Sequence, residues 1–159
     1  MITQPNWQSL ASGVVVLARP AALWTRAVDY IVGPRKLKIV ADPASNWTLS
    51  AGNILGPDGD PAQAQNSAAL PLLPSALLGA LICKIGGSAA DNTAPVVTAS
   101  LTSPVAPTVI PAPFSIGSFC IVELLAGQQK GSLFLTMNDA PAAFSQHAGQ
   151  LIVEIFEAL

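Results

Sequence analysis

The stretch that most constrains the fold is residues 131–156, GSLFLTMNDAPAAFSQHAGQLIVEIF. Apolar residues take every second position in two runs, first at Leu133, Leu135 and Met137 and then at Leu151, Val153 and Ile155. A period of two is typical of a strand with one buried face. Residues 138–149 then form the connecting loop, which carries Asp139 and the only histidine, His147. We therefore predict two strands joined by a loop where side chains can converge on a ligand.

Further strand-like segments occur upstream, separated by glycine and proline turns. They lie at residues 14–17, 36–41, 81–85 and 119–125, and residues 19–30 fit either a helix or a strand. A short helix is expected from Pro61 to about residue 69, because Asp60, Pro61 and Gln63 form a helix start signal. About seven or eight short strands with hardly any helix predict an all-β fold, an antiparallel β-sandwich of the jelly-roll kind.

The division of the chain follows from its polar start and its prolines. Residues 1–12 are expected to be an N-terminal arm, and residues 13–159 a single β-sandwich domain. Within that domain residues 88–113 form a tract of proline, alanine and threonine, with prolines at 95, 104, 107, 111 and 113. Proline cannot donate to a β-ladder, so this tract is expected to be an excursion from the sandwich.

The composition is unusually poor in charge. Of the 159 residues 51% are hydrophobic and only 10% charged, where about 25% is usual. Such a surface is expected to pack against other molecules, so we predict a homo-oligomer. The net charge of −2 without a basic patch speaks against nucleic acid as a partner.

No apolar run reaches the length of about 20 residues that a membrane helix needs, so no membrane insertion is expected. The first apolar run, 14–17, has no preceding Lys or Arg, and we therefore expect no signal peptide and a protein that is cytoplasmic as synthesised. Cys83 and Cys120 both lie in apolar alternating segments and are expected to be buried thiols, although the sequence alone leaves a disulfide open.

Catalysis finds little support in the sequence. There is one histidine, no Gly-x-Ser-x-Gly elbow, no glycine-rich phosphate loop and no His/Cys cluster with metal spacing. We expect no enzyme. Trp24 and Trp47 could stack on a sugar, but a tryptophan in a sandwich is more often packed in the core.

Three segments carry a resemblance to a known family. The run GxLxLxMNDAPxxxxxxxGxxxVxI, the strand GALICKIG at residues 79–86 and the turn GPDGD at residues 56–60 resemble the soluble bacterial galactose-binding lectins of the LecA (PA-IL) type. The similarity spans roughly residues 14–156 with gaps. It implies a calcium-dependent, galactose-binding-like β-sandwich, and it favours a strand over a helix for residues 19–30.

The resemblance also implies a set of site residues. The family's calcium ligands fall on Asp139, the backbone carbonyl of Ala143, Gln146 and His147, and its additional sugar contacts on Gln63 and Asn66. Glutamine is one methylene longer than the family's asparagine, and His147 offers nitrogen to a hard cation that prefers six to eight oxygens. We therefore expect no cofactor and no calcium, with Asp139 bonding nearby N–H groups. Sugar binding would rest on Asp139, Gln146, His147, Gln63 and Asn66.

Two functions from different classes remain open. One is a non-catalytic lectin-like module that recognises a glycan at this rim site without calcium. The other is a structural assembly subunit, such as a decoration protein on a virion or particle surface, whose partners are copies of itself or neighbouring subunits. A shared scaffold does not choose between them, because function depends on the site.

Overall fold

The computed structural model describes residues 5–49, 53–61, 70–91, 112–126 and 130–159. They form ten strands in two antiparallel sheets, which confirms the predicted all-β sandwich. The strands are β1 (Trp7–Leu17), β2 (Thr25–Val32), β3 (Arg35–Ala41), β4 (Asn46–Thr48), β5 (Ile54–Leu55), β6 (Leu81–Ile85), β7 (Phe114–Ser115), β8 (Phe119–Leu124), β9 (Lys130–Met137) and β10 (Ala148–Ala158). The count exceeds seven or eight because β4, β5 and β7 are too short to show alternation.

Strand β10 organises the larger, six-stranded sheet. One of its edges pairs with β1 from Gln150 to Ala158. The opposite edge pairs first with β4 and then with β3, whose far side carries β8. The smaller sheet has the order β2-β9-β6-β7. Because β9 lies in the smaller sheet and β10 in the larger one, the loop between them crosses the end of the sandwich.

The main core lies between the sheets and is built by the alternation seen in the sequence. Leu37 and Ile39 of β3, with Leu133 and Leu135 of β9, are fully buried there. The inward positions of β10, at Leu151, Val153 and Ile155, are equally buried. Period-two burial on both sheets is the packing that sandwiches require.

A second buried layer covers the outer face of the smaller sheet. It contains Trp24, Leu72, Ile82, Phe134 and Phe144, drawn from loops as well as from β6 and β9. Because loops cover this face, both faces of β6 are buried over its whole length. The loops that contribute Trp24, Leu72 and Phe144, here called the rim loops, therefore pack on buried apolar side chains.

Lys84 points away from the main core, yet only 1% of it is exposed. Its ammonium group donates to the Ser88 carbonyl and to Asp91 Oδ2 at 2.8 Å, and it lies 4.9 Å and 5.1 Å from the ring centroids of Trp24 and Phe134. Burial lowers the pKa of Lys84, and the hydrogen bond and the charge of Asp91 oppose that shift. The side chain is buried although it points outward, because the loop after β6 and the β1–β2 loop cover this face.

The first strand begins at Trp7, so residues 7–12, expected to belong to an arm, pair with the end of β10. Gly13, with φ of +62°, and a shift of register between Ala11 and Val14 interrupt the alternation. These irregularities hide the continuity of β1 from the sequence pattern. The domain division itself stays a prediction.

Three further expectations concern the segments between strands. Strand β2 settles residues 25–32 as a strand. The short helix expected after Pro61 falls on residues 62–69 and most of the excursion on residues 92–111, so both lie outside the described residues. Within the described part of the chain, no helix has the length and apolar character that crossing a membrane requires.

Both cysteines are free thiols. Cys83 is buried in the main core, whereas Cys120 is only half-buried on β8, which differs from the expectation of two buried residues. The reason is that β8 is at the edge of its sheet, where the core no longer covers both sides of a side chain. Burial raises the pKa of both thiols, and Cys120 adds to the effect at Cys83.

Candidate functional site

The β9–β10 loop lies at one end of the sandwich and contains a short 3₁₀ helix, Pro141–Gln146. Ala140 precedes it in an extended conformation, and Pro141 opens it with a φ already suited to a helix. Phe144 is the buried residue of the helix and packs into the second layer. The loop is therefore anchored by its own apolar side chain.

Asp139 and His147 close this loop on itself. The Nε2 atom of His147 lies 2.9 Å from Oδ2 of Asp139, and Oδ1 accepts a 2.7 Å hydrogen bond from the N–H of Ala140. The Nδ1 atom of His147 lies 3.0 Å from the carbonyl oxygen of Ala18, at the end of β1. Both ring nitrogens thus face oxygen atoms that can accept, and the tautomer decides which nitrogen donates.

His147 is 4% exposed, so its ring contacts other parts of the protein and very little solvent. Its ring centroid lies 4.6 Å from that of Phe144. Arg19, one residue after Ala18, donates to the carbonyl of Ser145 at 3.1 Å. Together these contacts fix the β1–β2 loop against the β9–β10 loop.

Asn138, which sequence reasoning missed, is the most heavily bonded side chain of the site. Its Oδ1 accepts from the N–H of Leu73, and its Nδ2 donates to the carbonyls of Leu73, Ala76 and Leu77, all at 2.9–3.1 Å. The residue is completely buried. Its only sequence signal is an amide directly after a buried strand and before Asp139, where a polar side chain needs partners.

The predicted site residues therefore fall into three groups. Asp139 and His147 are brought together, Gln146 is exposed at the end of the 3₁₀ helix, and Gln63 and Asn66 lie outside the described residues. Trp24 and Trp47 are buried, and their indole N–H groups donate to the carbonyls of Asp91 and Gly79. Neither tryptophan is placed to stack on a sugar.

The donor groups of the loop bear on the expectation that it binds no calcium, which stays a prediction. One carboxylate oxygen of Asp139 faces an imidazole nitrogen where an oxygen-rich cation site would need a free ligand. Ala143, whose backbone carbonyl the resemblance assigns to the cation, is half-buried within the 3₁₀ helix. In the described part of the chain no three His, Cys, Asp or Glu side chains are grouped as metal ligands.

A shallow apolar cleft of about 440 Å³ adjoins the loop. Its walls are residues 20–23 of the β1–β2 loop, Ala90, and Pro141 and Phe144 of the β9–β10 loop. Prolines and a phenylalanine edge can receive the apolar face of a small ring. The loop thus combines a rigid base, an exposed amide at Gln146 and an apolar neighbour.

These observations define a class of structure. It is an antiparallel sandwich whose β9–β10 loop is held by buried polar groups. Among solved structures the chain is similar to one described as the EclA N-terminal domain, a PllA-like lectin, with a TM-score of 0.58 and 16% identity. The match covers 94% of this chain and 98% of that one. No family model and no curated protein matches the sequence. The likeness establishes a lectin-like fold, while the LecA type in particular stays a prediction.

Proposed function

We propose that this protein is a non-catalytic carbohydrate-binding module that recognises a glycan at the β9–β10 rim without calcium. The observation that supports it is the pairing of Asp139 with His147 at 2.9 Å. In the lectins that the loop resembles, the equivalent aspartate binds the cation. Here a buried imidazole holds that carboxylate, so the loop is kept in shape by a side chain.

Roles within the site follow from exposure. His147 and Asp139 are bonded to each other and to the backbone, so they act as positioning residues. Direct hydrogen bonds to sugar hydroxyls fall to the exposed amide of Gln146 and, as a continuing prediction, to Gln63 and Asn66. Each neutral hydrogen bond contributes about 1 kcal/mol net, which implies weak binding to a single sugar.

The test is glycan-array screening with and without a chelator, followed by titration of the best ligand. We expect binding that the chelator leaves unchanged. Gln146→Ala should weaken it several-fold, whereas Gln150→Ala, at an exposed glutamine beyond the loop, should not. Binding that the chelator abolishes would overturn the calcium-free mechanism, and an array without any ligand would overturn the function itself.

A second candidate function, assembly with other copies of the chain, is favoured by β8. This strand lies at the edge of the larger sheet, and among the described strands it pairs only with β3. Phe119 and Ile121 are 57% and 51% exposed on its outer face. Exposed apolar edge strands are ready templates for pairing with another chain. A homo-oligomer, including one on a particle surface, would use this edge.

The assembly is tested by measuring mass in solution by light scattering at micromolar protein. We expect an oligomer that Ile121→Lys converts to a monomer, since a lysine on an edge strand opposes pairing. Tyr30→Lys, at a residue 62% exposed on β2, is the matched control and should leave the mass unchanged. A monomeric wild-type protein would rule this candidate out.

A further inference from the structure

A second cleft, of about 550 Å³, opens between residues 73–77 and residues 113–117. None of its lining residues belongs to the β9–β10 loop, so it is distinct from the rim site proposed above. The volume lies within the range of about 300–1,000 Å³ that small-molecule sites occupy. The cleft lies beside Ala80, immediately before the start of β6.

The walls of this cleft are preformed. Asp58 pairs with Ala80 in an isolated bridge, and its carboxylate accepts hydrogen bonds of 2.8–3.0 Å from the N–H and hydroxyl of Ser118. The same wall, residues 113–117, is also held through Leu81, whose carbonyl accepts from the N–H groups of residues 116 and 117. A Cβ at Gly117, which has φ of +64°, would lie 2.6 Å from Oδ1 of Asp58, so glycine is needed for this close approach.

The polar side chains that line the cleft are one carboxylate and two serine hydroxyls, and none of them is positively charged. Oδ1 of Asp58 accepts from the N–H of Ser118, and the one hydroxyl proton of Ser118 is shared between Oδ1 and Oδ2, which leaves Oδ2 able to accept another hydrogen bond. No Lys or Arg lines the cleft, and Asp58 has no ion pair within the described residues. Ser75 and Ser115 are exposed lining residues whose hydroxyls bond no other described residue.

The remaining lining is largely apolar and includes Phe114 and Leu77. A ligand that fits must therefore bring an apolar face together with hydroxyl or ammonium donors, and it must not carry a negative charge near Asp58. A pyranose ring has this combination. A uronic or sialic acid does not, because its carboxylate would face that of Asp58 without an intervening cation.

We propose that the Asp58 cleft is a second carbohydrate site, selective for neutral and amino sugars over acidic ones. The ring packs on Phe114 and Leu77, the hydroxyl or amino group donates to Asp58, and Ser75 and Ser115 complete the contacts. This site goes beyond the rim site, and each can exist without the other.

The test is an NMR titration of ¹⁵N-labelled protein with glucosamine, glucose and glucuronate, three ligands with similar rings and different charge. We expect amide shifts at residues 114–118 in the order glucosamine, then glucose, with none from glucuronate. Asp58→Asn keeps an acceptor for Ser118 but removes the charge, and it should weaken glucosamine about tenfold. Ser115→Phe should fill the cleft and abolish the shifts, whereas Ser9→Phe, at an exposed serine on β1, should not.

The two sites give separate readouts. Shifts confined to residues 140–148 would overturn the second site and leave the rim site standing, whereas shifts confined to residues 114–118 would support the second site and leave the rim site to the glycan array. Glucuronate binding as tightly as glucosamine, or glucosamine shifts that Asp58→Asn leaves unchanged, would overturn the assigned role of the carboxylate.

Discussion

At the scale of single residues, the loop depends on a hydrogen-bonded chain that runs from Ala18 through His147 to Asp139. His147 is nine-tenths or more buried, Ala18 is fully buried and the side chain of Asp139 is 15% exposed, so removing the ring takes the partner from two largely buried acceptors. An unsatisfied buried polar group costs about 1–3 kcal/mol. The imidazole is therefore more important for stability than its place on a surface loop suggests.

We expect His147→Ala to lower the free energy of unfolding by about 3 kcal/mol, because it leaves both acceptors unpaired and opens a cavity beside Phe144. Urea denaturation followed by circular dichroism measures this. Gln146→Ala, at the exposed neighbour, should change it by less than about 0.5 kcal/mol. A His147→Ala protein as stable as the wild type would contradict the central role of the ring.

A second residue-scale prediction concerns acid. Burial raises the pKa of Asp91, but the hydrogen bonds from Lys84 and Ser88 outweigh it, and the pKa is lower in the folded protein than in the unfolded one. A carboxyl with a depressed folded pKa stabilises the protein above its unfolded pKa of about 3.9, and this contribution disappears as the pH falls through the folded pKa. The relevant window is below about pH 4.

We therefore expect Asp91→Asn to destabilise the protein near neutral pH, and the gap to the wild type to shrink below about pH 4. Denaturation at several pH values measures it. Asp29→Asn, at an exposed carboxylate, should leave the curve nearly parallel to that of the wild type. A gap between Asp91→Asn and the wild type that is constant from neutral pH to acid would contradict the linkage.

At the scale of elements, segment 70–80 has no regular structure of its own and is held by Asn138 and by backbone bonds. Besides the four side-chain bonds, Asn138 donates its N–H to the Ala80 carbonyl and accepts from Gly79. The Asp139 carbonyl accepts from the N–H of Leu72. One position of the chain therefore places a wall that serves both the second layer and the Asp58 cleft.

We expect Asn138→Ala to reduce the hydrogen-exchange protection of residues 72–80 by more than that of the central strand β10. The cause is local, since the lost bonds all join Asn138 to that segment. Asn46→Ala, at an exposed asparagine in β4, is the control and should leave both regions unchanged. Equal loss of protection in β10 would indicate that the segment and the sandwich open as one unit.

At the scale of the whole molecule, hydrogen bonds of side chains hold the β9–β10 loop at the end of the sandwich. From this we predict how calcium affects the stability of the protein. A ligand that binds only the folded state at 100 times its dissociation constant adds about 2.7 kcal/mol of stability. We expect millimolar calcium to leave the melting temperature unchanged, as measured by calorimetry with and without chelator. A rise of several degrees that chelator reverses would contradict this.

The sequence predicted which residues form the main core, but it did not predict the contacts that the loops make. Alternation identified Leu133, Leu135, Leu151 and Val153, all of them fully buried, because strands repeat every two residues. It could not show that Lys84 is covered, since Trp24 and Asp91 reach it from loops that follow no period.

The candidate site was predictable to the same degree. Asp139 and His147 share one loop, and their proximity followed from the motif. The carbonyl of Ala18, which fixes the other ring nitrogen, is 129 positions away in sequence and became visible only in three dimensions. Asn138 was overlooked because an amide after a strand has many uses.

The ammonium group of Lys84 has a consequence for spectroscopy. The chain has three tryptophans. Trp47 is buried in the main core, and Trp7 of β1 lies against Lys38 of β3. Trp24 is the one whose indole ring lies 4.9 Å from the Lys84 nitrogen. A protein that retains Trp24 alone would carry an intrinsic fluorophore in the second layer. Its emission would shift to the red when water enters beneath the rim loops, even while the main sandwich remained closed.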